Sequence, residues 1–124
     1  MVVIRIVVGV LILAHGLVHL LYLARDVPEF SFASSWLVPE SARRPVALVL
    51  MAATVAAFLL VALAIWGVPG LASIWSALTI GAASLSLVLL VAFWNNMLIL
   101  GVAIDIALMA VGAIRPGWVE HIVA

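Results

Sequence analysis

Four stretches of the chain are apolar almost without interruption, and each approaches or exceeds the roughly 20 residues that a helix needs to cross a bilayer. They cover about 2–24, 46–66, 71–93 and 97–114, with polar or helix-breaking residues at every edge. Arg25, Asp26 and Pro28 close the first, and Arg43-Arg44-Pro45 opens the second, where proline suits a first helical turn. Gly67-Val68-Pro69-Gly70 separates the second from the third, and Trp94-Asn95-Asn96 separates the third from the fourth. Arg115-Pro116-Gly117-Trp118 ends the last. The first stretch has two histidines in its second half and no small-residue cleavage site before Arg25, so it reads as a retained helix rather than a signal peptide.

Short connections force neighbouring helices to run in opposite directions. The expected fold is therefore all-α: a single transmembrane domain over residues 1–124, built as an antiparallel four-helix bundle. One face (side A) then carries both ends of the chain and the 67–70 turn, and the opposite face (side B) carries loop 25–45 and Asn95-Asn96. Phe30, Phe32 and Trp36 suit an interfacial loop, since aromatic rings anchor at that depth, and the same residues could also form a lid. Arg25, Arg43 and Arg44 on side B nearly balance Arg5 and Arg115 on side A, which is too even a split to orient the protein by positive charge.

Composition sharpens this picture. Of 124 residues, 69% are hydrophobic and 8% charged, too few polar groups to cover a water-exposed surface, so the solvent is lipid and the setting a multi-pass protein of the cell membrane. The formal net charge is zero with no basic cluster, which argues against nucleic acid as a partner. Cysteine is absent, excluding disulfides and thiolate chemistry.

In such a chain the polar residues within spans are the informative ones, because each is expensive to place in hydrocarbon. His15, His19, Tyr22 and Asp26 recur at steps of four, three and four, which puts them on one helix face. Counting the rise of ~1.5 Å per residue from side B places His15 and Thr54 ~14 Å deep and Ser84 and Asp105 ~15 Å deep. Each helix thus brings one polar side chain to about mid-bilayer, with His19, Ser86 and Asn95-Asn96 nearer side B. The expectation is a polar pocket of His15, His19, Tyr22, Thr54, Ser84 and Asp105, open toward side B. Asp105 is the only carboxylate in an expected span, so it should pair with His15 or be protonated. His121 reads as a solvated tail residue.

Several chemistries fit these residues. His15 and His19, at i and i+4, could bind a divalent metal with Asp105 completing the set, although Gly16 stands where a zinc protease has its glutamate. A bis-histidine haem would need a second copy or a partner subunit, because only the first helix supplies intramembrane histidine. A quinone needs less: a histidine, a carboxylate and Tyr22 around its carbonyls in an apolar cleft. A His–Asp couple can also exchange a proton, as in a small dimeric proton-coupled transporter. The structural alternative is that the pair only fastens helices in an assembly subunit, with serine and threonine bonded to their own helices and Gly9, Gly16 and Gly81-Ala82-Ala83-Ser84 serving as close-packing surfaces. Whether the chain is an enzyme stays open among these, and a homo-oligomer or membrane-complex partner accompanies most of them.

The first helix reads Ile4-Arg5-Ile6-Val7-Val8-Gly9 and then His15-Gly16-Leu17, and the last span closes on Arg115-Pro116-Gly117-Trp118. These segments resemble the DoxX-like family of small four-helix membrane proteins: an arginine, a glycine four residues on, a histidine-glycine pair about six later, and a short glycine-tryptophan ending. The resemblance covers about a fifth of the chain. It implies a membrane partner in redox metabolism, of the kind associated with thiosulfate–quinone oxidoreduction and oxidative-stress complexes. This sequence departs from the family in its second helix, where a glutamate among glycines is replaced by an apolar span with Thr54. His19 and Asp105 have no counterpart in the family pattern.

Overall fold

A computed structural model describes residues 2–23, 37–94 and 98–123, the side chains of 21–23 excepted. Among these residues the chain is all-helical: α1 (Val2–Leu17), α2 (Glu40–Ile65), α3 (Trp75–Ala92), α4 (Ile99–Ile114) and α5 (Gly117–Val123). A 3₁₀ segment, Val18–Leu23, continues α1, and another, Ala72–Ile74, leads into α3. In sequence order α1 packs on α2, α2 on α3 and α3 on α4.

The distribution of exposure settles the solvent. In α1 the buried residues are Gly9 and Gly16, while Val2, Val3, Ile4, Ile6, Val7, Val10 and Leu11 face outward. In α4 the buried residues are Asp105 and Gly112, while Ile99, Leu100, Ile106 and Ile114 are exposed. Glycine and a carboxylate inside with isoleucine and leucine outside reverses the order that water imposes. It is the order expected in lipid, where helices associate through small residues that allow close approach. Three helical stretches, Val2–Leu20, Glu40–Ile65 and Ala72–Ala92, are long and apolar enough to cross a membrane. A fourth qualifies if α4 and α5, bent by 90° at their junction, count together. The protein is membrane-embedded.

The glycines explain the close approaches. A Cβ on Gly16 would lie 2.4 Å from the Phe58 Cβ, and one on Gly9 would run into the Trp66 indole, so α1 meets α2 backbone against side chain. A Cβ on Gly112 would lie 2.8 Å from Ile80 Cγ1, where α3 crosses α4. Gly67 and Gly70, at φ 89° and 86°, make the reversal between α2 and α3.

Several expected boundaries shift. The second helix begins at Glu40 rather than 46, so residues 40–45 of the expected loop 25–45 are helical and Pro45 lies inside the helix. The ring removes one backbone N–H whose acceptor would be the Ser41 carbonyl. Ser41 and Pro45 are both exposed, so that carbonyl keeps access to polar solvent. Arg43 Nε donates to the Val38 carbonyl at 3.0 Å, supporting the early start. The first helix tightens to 3₁₀ after Leu17 instead of running on as α-helix, and the third becomes α-helical at Trp75 rather than 71. Beyond the fourth span the expected tail is α5, where His121 is exposed on a folded helix. Arg115, at φ 53°, makes the left-handed turn between α4 and α5.

Two apolar clusters fill the interior. One gathers Ala47, Met51, Leu89, Leu90, Phe93 and Leu98, the other Phe58, Val61, Ile65, Trp75, Ala82 and Val123. Between them along α2 and α3, at Thr54 and Ser86, the buried positions turn polar.

Candidate functional site

His15 and His19 stand one turn apart on α1 and its 3₁₀ extension, and Gly16 between them lets the segment press onto Phe58. Phe58 holds both imidazoles. The His19 ring stacks on it with centroids 6.1 Å apart, and the His15 ring meets it edge-on at 5.1 Å. Across from them α3 contributes Ser86 and α4 contributes Asp105, each fully buried.

These side chains form one continuous hydrogen-bonded network. His15 Nε2 lies 2.8 Å from Asp105 Oδ1, and Ser86 Oγ bonds Asp105 Oδ2. Ser86 Oγ also lies 2.7 Å from His19 Nε2, and His19 Nδ1 donates to the Gly16 carbonyl at 3.0 Å. Both carboxyl oxygens are engaged, so a charge at Asp105 is met on each side in a setting where an unpaired one would be very costly.

Counting protons exposes the chemistry. The Gly16 carbonyl can only accept, so His19 Nδ1 carries a hydrogen. Ser86 has one proton and two partners. If the hydroxyl donates to Asp105, His19 Nε2 must donate to Ser86, and the network holds an imidazolium facing a carboxylate. If the hydroxyl donates to His19, Asp105 must be protonated and donate to Ser86, and both groups are neutral. With His15 donating through Nε2, these are the two fully bonded arrangements. They carry the same number of protons and differ only in where one sits across Ser86. The arrangement is a hydrogen-bonded chain linking α1, α3 and α4, with the connectivity that a proton relay needs.

In both arrangements a neutral His15 keeps its hydrogen on Nε2, which leaves Nδ1 as an acceptor with no partner among the described residues. His15 is also the member nearest an opening, its side chain 11% exposed where Asp105 is 0%. A cleft of about 350 Å³ lies there between α1 and α4, walled by Ala14, Val18, Leu90, Leu98, Gly101 and Ile104 as well as the two histidines. It is an apolar cleft with one polar edge.

Of the residues expected in the pocket, the structure brings together His15, His19 and Asp105. Thr54 and Ser84 stand apart, donating to the carbonyls one turn back on their own helices, Leu50 at 2.7 Å and Ile80 at 2.7 Å. The Tyr22 side chain lies outside the described residues, as do Arg25, Asp26, Phe30, Phe32, Trp36 and Asn95-Asn96. Ser86, the centre of the relay, was not in the expected set. A depth count chose Ser84 on the same helix, but two residues turn the side chain to another face. The signal that finds Ser86 is the stripe Thr79, Ala82 and Ser86, small or polar at helical spacing.

The fit to a metal is poor. Both His19 nitrogens are committed to Gly16 and Ser86, His15 Nε2 is committed to Asp105, and the rings stand at 82° to each other. Among the described residues no three His, Cys, Asp or Glu side chains form a group that could hold an ion. The same commitments leave His15 Nδ1 as the one intramembrane ring nitrogen in the network available to a haem.

Comparison with protein-family models, curated proteins and solved structures gave no match.

Proposed function

We propose that this protein is a redox-associated subunit of the cell membrane, an antiparallel four-helix bundle that binds a quinol or quinone in the cleft between α1 and α4. The observation that carries the reading is His15: a residue lining an apolar cleft whose Nδ1 has no partner among the described residues, backed by the network through Asp105, Ser86 and His19. Nδ1 accepts the hydroxyl of a quinol, whose ring and tail lie against Leu90, Leu98 and Ile104. A proton taken up at Nδ1 makes His15 a cation directly paired with Asp105, and the relay adjusts across Ser86 to hold that charge. Oxidation of the quinol to the quinone would give one proton to Nδ1, while the second proton and the two electrons pass to an oxidant in a membrane-complex partner.

The resemblance to the DoxX-like family points the same way, and the motif residues of its first helix have structural work. Gly9 and Gly16 seat α1 on α2, His15 enters the relay, and Arg5 Nε donates to the Ile122 carbonyl at 2.9 Å, tying the start of α1 to α5. A proton-coupled transporter is favoured less. The relay extends over about one helical turn, ~5 Å, against a hydrocarbon thickness of ~30 Å. The buried hydroxyl nearer side A, Thr79, is bonded to its own helix.

The test is a binding titration of the purified protein with a short-chain benzoquinol and its O-methylated counterpart. Saturable binding of the quinol alone, abolished in His15→Phe, is expected. Equal binding of both compounds would show that the hydroxyl is not recognised. Absence of binding, with His15→Phe and Asp105→Asn changing stability alone, would make the network a helix fastener in an assembly subunit.

A further inference from the structure

At the opposite end of the bundle a second cavity, of about 330 Å³, lies among the start of α1, the turn before α3 and the α4–α5 corner. Among the described residues Arg5, Arg115 and Glu120 line it. Arg5 packs its guanidinium against Gly67, where a Cβ would come 3.2 Å from Nη1. Arg115 Nε donates to Glu120 Oε1 at 2.6 Å, which aims the rest of its guanidinium over the Trp75 ring, 5.8 Å from the centroid. The Trp75 indole is 3% exposed, and its Nε1 is the buried side-chain donor without a hydrogen-bond partner among the described residues. It faces the Glu120 carboxylate without reaching bonding geometry. A buried N–H left unsatisfied is costly, and beside two guanidinium groups it marks a place for an acceptor from outside the chain.

The neighbouring space says what carries that acceptor. An apolar cleft of about 190 Å³, lined by Ile12, Leu108, Val111 and Trp118 among others, adjoins the cavity, and Trp75 and Val123 belong to both walls. The cavity lies at the helix ends and the cleft runs along their apolar flanks, the depths of a lipid's headgroup and chain. We propose that this corner binds one phospholipid, its phosphate held by Arg5, Arg115 and the Trp75 N–H and one acyl chain in the cleft. Arginine suits the phosphate through its forked donors. The lipid would fasten α5 beneath the bundle, independently of the histidine network at the other end.

The experiment is native mass spectrometry of the delipidated protein in mild detergent, titrated separately with phosphatidylglycerol, diacylglycerol of the same chains, and inorganic phosphate. A saturating one-to-one adduct with phosphatidylglycerol alone is expected. Arg115→Gln should weaken it roughly tenfold, the scale of one charge-assisted hydrogen bond. Trp75→Phe, which keeps the ring and removes the N–H, should weaken it with helical content retained. Equal retention of diacylglycerol would reduce the corner to an apolar groove, and tight capture of inorganic phosphate would make it a free-anion site. Unchanged phosphatidylglycerol binding in both variants would also overturn the proposal.

Discussion

Ser86 has one proton and two neighbours able to take it, which makes it the residue where the account can be cut most cleanly. Ser86→Ala leaves the His15–Asp105 bond in place and strands His19 Nε2 and one oxygen of Asp105. A loss of about 1–3 kcal/mol is expected from unsatisfied buried groups, read by denaturant unfolding in detergent. Asp105→Ala removes both acceptors at once and should cost more, about 3–5 kcal/mol, the scale of breaking a buried charged pair. Ser84→Ala removes a hydroxyl bonded only to its own helix and should stay within about 0.5 kcal/mol of the parent. A result in which Ser84 and Ser86 behave alike would undo the separation drawn between them. Much of this was legible beforehand: spacing alone put His15 and His19 on one face, and the depth of His15 matched Asp105. What the sequence could not give was facing, because two serines at neighbouring heights differ only by a rotation about the helix axis.

At the scale of elements, the contacts of α1 are made by what it lacks. Gly16→Ala places a methyl group 2.4 Å from Phe58 Cβ and must push α1 away from α2, taking both imidazoles off their ring. Destabilisation of about 1–3 kcal/mol is expected. Gly81 has open space around it and sits within α3, so Gly81→Ala should instead stabilise by up to about 1 kcal/mol through helix propensity. Thermal unfolding of the two variants side by side checks the contrast, and the same sign in both would contradict the packing described. The span boundaries in the sequence were good to a few residues where glycine or proline punctuated them. They failed at Pro45, which reads as a first-turn residue yet sits inside α2, where it and Ser41, whose carbonyl loses its donor, are both exposed. The helix after Arg115 was missed because seven residues without a long apolar run leave little pattern. The Arg115–Glu120 pair at that corner holds the Glu120 carboxyl below its ordinary value through the guanidinium's hydrogen bond. Any stability it adds is therefore present above the ordinary carboxylate range and lost as pH falls through the lowered value. Both groups are well exposed, so hydrogen exchange in α5 should respond weakly to acid and less still in high salt.

For the whole molecule, the placement of apolar residues outside and a carboxylate inside makes lipid the solvent, and lipid in turn makes the relay consequential. In water the His15–Asp105 pair would be one of many; among hydrocarbon side chains it is a buried polar pair next to an apolar cleft, the setting that the proposed proton chemistry needs. Composition made the membrane legible from the sequence, since 8% charge cannot cover a protein in water. The connection between cleft and relay needed three helices in their relative rotation, which no single stretch encodes. The central claim is that a ligand at His15 acts on the carboxyl of Asp105. Infrared difference spectroscopy tests this directly, comparing the protein before and after addition of a short-chain benzoquinol, with Asp105→Asn identifying the band. The account predicts a shift in the Asp105 carboxyl or carboxylate band on binding, lost both in Asp105→Asn and in His15→Phe. An Asp105 band that stays fixed while the quinol binds would contradict it.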